Sequence, residues 1–292
     1  VGKRLTISYK KLLFGKRVVF FLHGFLIATM IYFYLEDSYE KSLFEALASY
    51  VKKHQPPNAT EEDIILKCLH VTYFLENNRN EIFGNLQFSS AKANLFHPVT
   101  FDLMTANGSC GSYTFTLSRL LNELNIPNRI AQMTVKGQNG GHIILEAQTA
   151  QGWAVLDPLY NLSFTKPDGN LASFTNVNSN WAYYRKQIPS NYDTTYRYEG
   201  VRYTNWEKIP IVMPLLKNVL TLAWGKERTA FFSLRVFMLR KFHVLFLATG
   251  MLYLLLLLSR IRIKVKIPAA PVIDPFAFNK IPGKRIAANS EV

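Results

Sequence analysis

Apolar positions fall along this chain in two patterns. Near each end they form an almost unbroken block: Val18–Leu35 and Phe242–Ile261. Each is close to the ~20 residues that carry a helix across a bilayer core, and both are predicted spans. Between them, residues 36–240 mix apolar and polar positions as a globular domain does. Leu43, Leu47 and Val51 share one helical face in Asp37–Lys53, which is predicted to leave the membrane as a helix. The linker Gln55-Pro56-Pro57-Asn58 follows. Thr60, three residues before Asp63, is a predicted N-cap for a helix through Phe74 with Ile64, Ile65, Leu69 and Phe74 on its apolar face.

The densest pattern begins near Asn107. Leu117, Leu120, Leu121 and Leu124 recur at helical spacing. Asn125-Ile126-Pro127 ends that helix, because proline excludes the helical region for the residue before it. Two strands are predicted at Arg129–Val135 and Gly141–Ala147, separated by a turn-rich segment, and a third at Gly152–Asp157. Glu76–Thr105 fits no clear period. Residues 174–206 are aromatic and basic, and Tyr196–Tyr203 alternates as a strand would. Ile209–Trp224 is apolar but interrupted by Pro210, Pro214 and Lys217, which suits an interfacial helix rather than a span. The fold class expected is α+β.

This pattern puts three chemically able residues at element ends. Cys110 opens a helix, His142 begins a strand and Asp157 closes the next. A thiol at a helix N-terminus is favoured as thiolate by unpaired N–H groups and the helix dipole. An imidazole can take and return its proton, and a carboxylate can orient that imidazole. Gly108, Gly111 and Ser112 leave the helix mouth uncrowded, so a carbonyl oxygen can reach the Cys110 N–H. Gln87 and Asn107 are candidates for a second oxyanion donor. Trp181 and Tyr184, in the aromatic segment, are candidates for a substrate-groove wall; the competing reading is a strand packed over the core. His97 and Asp102 lack metal-ligand spacing to other residues, and no metal site or cofactor is expected.

The motifs GSCGSYTFTLSRLLNELNIPNR, GGHIILE and GWAVLDP together resemble the core of the transglutaminase-like superfamily, relatives of the papain-type cysteine hydrolases. The resemblance covers roughly residues 60–165. It implies a papain-like core with Cys110, His142 and Asp157 as its catalytic triad, and a thioester intermediate on the cysteine. The chain departs from many relatives in carrying Ser109 in place of an acidic residue and Ile143 after the histidine. Two functions follow as expectations. One is a cysteine protease, amidase or acyltransferase acting on peptide, amide or envelope-polymer substrates. The other is a non-catalytic binding or assembly module in a membrane complex handling envelope polymers.

The net charge of +14 sits mainly toward the ends, and no nucleic-acid motif accompanies it. Lys3, Arg4, Lys10, Lys11, Lys16 and Arg17 precede the first span, which places residues 1–17 and the tail 262–292 in the cytoplasm. The central domain is then extracytoplasmic, periplasmic in a bacterium. A signal peptide shares the basic start, but the apolar run is long for one and no small-x-small site follows it. Lys226, Arg228, Arg235, Arg240 and Lys241 fall on the outer flank of the second span. They are expected to snorkel, meet anionic headgroups or receive a membrane-protein partner. An extracytoplasmic setting also permits a Cys68–Cys110 disulfide, although a buried thiol is the expected state of Cys68.

Overall fold

A computed structural model describes residues 16–84, 86 and 90–259. Residues 1–253 and 254–292 form two compact units, and the described part of the second is the end of the last helix. The first helix, α1 (Lys16–Lys53), has 38 residues. At ~1.5 Å per residue it is roughly 57 Å long, about twice a ~30 Å bilayer core. Its first half is therefore long enough to span, and its second half continues into the globular region, where Phe44, Ala48 and Val51 are buried. The last helix, α11 (Lys241–Leu258), is also long and apolar enough to cross a membrane. The two run antiparallel: Tyr34 meets Phe246 with ring centroids 6.0 Å apart, and His23 meets Tyr253 at 5.5 Å. A Cβ on Gly250 would lie 3.6 Å from the Met30 methyl, so a small residue stands where the helices approach.

Helix α2 (Glu61–Phe83) starts on the Thr60–Asp63 capping box. It runs past Phe74, where the sequence pattern ends, because no breaker occurs before Gly84. Two short helices, α3 (Ala91–Phe96) and α4 (Val99–Thr105), occupy the stretch without a clear period. Helix α5 (Cys110–Glu123) follows, then strands β1 (Asn128–Val135), β2 (Gln138–Thr149), β3 (Gly152–Asp157) and β4 (Leu162–Ser163). After α6 (Phe174–Ser179) and α7 (Trp181–Tyr184), β5 (Val201–Arg202) completes an antiparallel sheet in the order β4-β3-β2-β1-β5. The fold is thus α+β, with helices around a five-stranded antiparallel sheet.

Strand residues alternate between two cores, as a period of two requires. Ile130, Leu145, Ala147 and Leu156 join Leu117, Leu120 and Leu121 of α5 in one cluster, with Phe44 of α1 and Cys68 of α2. Ala131, Met133, Ile144 and Val155 join the second, filled by Phe164, Tyr184, Tyr192, Tyr198 and Tyr203. Arg119 is buried within α5 but paired to Glu123 at 2.8 Å and Glu40 at 3.6 Å, which ties α5 to α1.

The expected Tyr196–Tyr203 strand shrinks to Val201–Arg202. Tyr198 has φ 55°, which breaks an extended run, and its side chain turns into the second core. The segment 209–224 forms α8 (Val212–Trp224), with Val212, Leu215, Val219 and Leu222 exposed. Helices α9 (Lys226–Ala230) and α10 (Leu234–Leu239) lead into α11. Much of the basic flank has partners inside the chain. Asp37 on α1 takes Arg240 at 3.5 Å and His243 at 3.0 Å, and the Lys241 ammonium donates to the His97 carbonyl.

Candidate active site

Cys110 is the first residue of α5, and the backbone before it is strained. Ser109 sits at φ 47°, ψ −128°, a region that side chains other than glycine seldom occupy. Such a residue costs about 1–3 kcal/mol, so its surroundings must hold it. The Gly108 N–H donates to Ser112 Oγ at 2.8 Å, and Ser112 donates to buried Asp102 at 2.7 Å. His97 meets the same Asp102 oxygen at 3.2 Å. A Cβ on Gly108 would come within 2.7 Å of Ser112 Oγ. The α4 carboxylate thus fixes the turn that delivers Cys110, and glycine is needed for the close approach.

The antiparallel register that sets Leu145 opposite Leu156 brings His142 and Asp157 to the same end of the sheet. His142 Nε2 lies 2.7 Å from Asp157 Oδ2, with both side chains fully buried. Tyr192 donates its hydroxyl to the same oxygen at 3.2 Å. The Tyr196 ring stacks on the imidazole with centroids 4.1 Å apart and planes 9° from parallel. Nδ1 makes no hydrogen bond of full geometry to another group, and the ring's remaining interaction is with the Cys110 thiol. Thr114 on α5 donates to the Ile143 carbonyl at 3.1 Å, which seats the cysteine helix against the histidine strand.

The electrostatics follow from these contacts. Burial alone would raise the Cys110 pKa, but the neighbouring His142 imidazole and its charge, with the Ile143 backbone, outweigh it and leave the thiol below its ordinary value. Burial alone would lower His142. The charge and hydrogen bond of Asp157, with Cys110 added, push it instead up to about 9. Both directions favour a thiolate beside an imidazolium near neutral pH. Cys68 differs: it is wholly buried, and burial pushes its thiol up to about 12. Both cysteines are free thiols, so the disulfide considered from sequence is absent.

The remaining candidates separate. Asn107 lies just ahead of the turn, and its side-chain amide donates to the Leu86 carbonyl. The Gly111 N–H is taken by the Gly108 carbonyl at 3.0 Å. Among the backbone amides at the helix mouth, that of Cys110 has no intrahelical partner and is available to an oxyanion. Gln87 lies outside the described residues. Trp181 and Tyr184 pack into the second core, Trp181 with its ring 5.5 Å from Tyr198, so neither joins the triad. Tyr192, Tyr196 and Asp102 support the site in ways the sequence did not assign, and Ser112, noted there only for leaving the helix mouth uncrowded, bridges Gly108 to Asp102. Their only signals were a His–Asp pair without further ligands and a tyrosine-rich segment. Among the described residues, no cluster of His, Cys, Asp and Glu is arranged to hold a metal ion.

Comparison of the chain with protein-family models, with curated proteins and with solved structures gives no match.

Proposed function

We propose that the protein is a membrane-anchored, transglutaminase-like cysteine enzyme that moves an acyl group through a thioester on Cys110. One observation carries the reading: a buried His142–Asp157 pair at 2.7 Å beside a thiol at a helix N-terminus. The Cys110 thiolate attacks the substrate carbonyl carbon and forms an S–C bond. The resulting oxyanion turns to the Cys110 N–H. His142 then gives its proton to the departing amine or alkoxide as the bond to it breaks. Water or a second amine resolves the thioester, with His142 taking up the incoming proton. Peptides, amides and envelope polymers are the substrate classes that suit this chemistry.

The domain is placed outside the cytoplasm, with both termini inside. The basic residues before the first span support this orientation. The antiparallel contacts of α1 and α11 support it too, since they bring the chain back to its starting side. A reporter fused at the C-terminus and found outside would refute the topology.

The catalytic reading is tested by iodoacetamide labelling of Cys110 across pH 6–9 in a Cys68→Ala background. Rapid labelling near neutral pH that collapses in His142→Ala is expected. An ordinary thiol profile, unchanged by His142→Ala, would overturn it in favour of a binding module.

A further inference from the structure

Against the cysteine helix lies a cavity of about 370 Å³ that the acyl-transfer scheme leaves unused. Phe115 lines it, and the same ring borders Gly111, whose added Cβ would lie 3.6 Å away. The cavity therefore borders the second turn of the cysteine helix. Its opposite wall is Met213, Met238, Leu239 and Lys241, where α8 begins and where α10 hands over to the apolar helix α11. Arg235 on its wall is close enough to Cys110 to feel the thiolate's charge, and another wall meets the start of a candidate span.

Its charge is one-sided. Arg235, Lys208 and Lys241 line it against one carboxylate, Asp102, whose Oδ1 takes His97 and Ser112 and whose Oδ2 has no hydrogen-bond partner among the described residues. Arg235 and Arg202 both turn to one neutral acceptor, Gln132 Oε1, at 3.5 Å and 3.0 Å. Among the described residues neither arginine forms an ion pair. Burial, and then the charge of Arg202, pull Arg235 below its ordinary pKa, while the Cys110 charge acts the other way. Arg202 also donates to the Asn139 carbonyl at 3.5 Å, whereas half-buried Arg235 reaches, among the described residues, only this neutral oxygen, and buried charges ordinarily find a counter-charge. An anion held on Arg235 would supply it, and arginine forks suit phosphate and carboxylate oxygens. The apolar wall of methionines and leucine, joined to the exposed apolar face of α8, suits a hydrocarbon chain.

We propose that this cavity binds an anionic amphiphile drawn from the membrane, its acidic group on Arg235 and its chain along Met213, Met238 and Leu239. This deepens the cysteine-enzyme reading, and rests on it for the claim that the bound molecule is a substrate. A lipid or lipid-linked envelope precursor with a phosphate or carboxylate headgroup is the class that fits. A ligand held on Arg235 sits near Cys110, whose charge Arg235 feels.

The test uses the full chain, Cys68→Ala, in phosphatidylcholine nanodiscs, reading iodoacetamide labelling of Cys110. Dihexanoylphosphatidylglycerol is added as probe, beside dihexanoylphosphatidylcholine, glycerol phosphate and an acidic peptide. The anionic amphiphile is expected to slow labelling at concentrations where the other three do not. Arg235→Gln, with an unchanged melting temperature, is expected to raise the concentration needed by about tenfold, the loss of one charged hydrogen bond. Equal protection by the zwitterionic amphiphile, by glycerol phosphate or by the peptide would overturn the proposal, as would protection unaffected by Arg235→Gln. The two readings fail separately. Slow, His142-independent labelling that the amphiphile still blocks would remove the catalysis and keep the site. Fast, His142-dependent labelling that it never blocks would do the reverse.

Discussion

Replacing Asp157 with asparagine removes the charge that the histidine leans on while keeping its shape. Asp157 Oδ2 meets His142 Nε2 at 2.7 Å in a site where both side chains are fully buried. Burial opposes a charged imidazole, yet the ring is held at about 9 against an ordinary 6.5. That difference is worth about 3 kcal/mol in favour of the imidazolium. In Asp157→Asn the opposing burial remains and this support is gone, so His142 falls below 6.5 and stops stabilising a thiolate at neutral pH. An unaided thiol of pKa ~8.5 is only about 0.3% ionised at pH 6. A thiolate of low pKa is intrinsically less nucleophilic, by about ten- to a hundredfold for a few pKa steps. The net expectation is slower iodoacetamide labelling of Cys110 at pH 6 in the variant, with its rise in rate displaced to higher pH than in the parent. Stopped samples analysed by mass spectrometry, in a Cys68→Ala background, read this directly. Superimposable profiles for parent and variant would refute the ion-pair argument.

Three further outcomes follow from the same geometry. Glu76 is buried, takes one hydrogen bond from Thr116 at 2.7 Å and is pushed by burial up to about 8. A carboxyl raised in the fold supports stability below its unfolded value near 4.5, and that support is lost as pH climbs through about 8. Glu76→Gln should therefore flatten the stability profile and gain on the order of 3 kcal/mol relative to the parent between pH 5 and 8, read from melts at the two pH values; a parallel pair of curves would contradict this. With the Cys68 thiol buried in the core and pushed up to about 12, the native chain should take one label and the denatured chain two, by intact mass. Gly108→Ala places a methyl 2.7 Å from Ser112 Oγ. It should lower stability by about 1–3 kcal/mol and slow Cys110 labelling, because the turn carrying the cysteine must shift; unchanged labelling would mean that the Asp102–Ser112–Gly108 chain does not position it.

The sequence alone determined whatever depends on local period and chain order. The leucine spacing of Leu117–Leu124, the proline after it and the alternation in β1–β3 place Cys110, His142 and Asp157 at element ends, because helix and strand periods act over a few residues. The apolar blocks and the Thr60–Asp63 cap were legible for the same reason. Tertiary structure decided the rest. That α1 continues unbroken from the apolar block into the core depends on Phe44 and Val51 finding partners on α2 and α5. That Trp181 and Tyr184 fill a core, while Tyr192 and Tyr196 close over the histidine, depends on where the chain turns at Tyr198, which alternation cannot reveal. Arg240 and Arg235 look alike in sequence. One finds Asp37, 203 residues away, and the other finds a neutral glutamine on β1. A charge's partner is set by the folded path of the chain, and that path brings together residues which no local pattern relates.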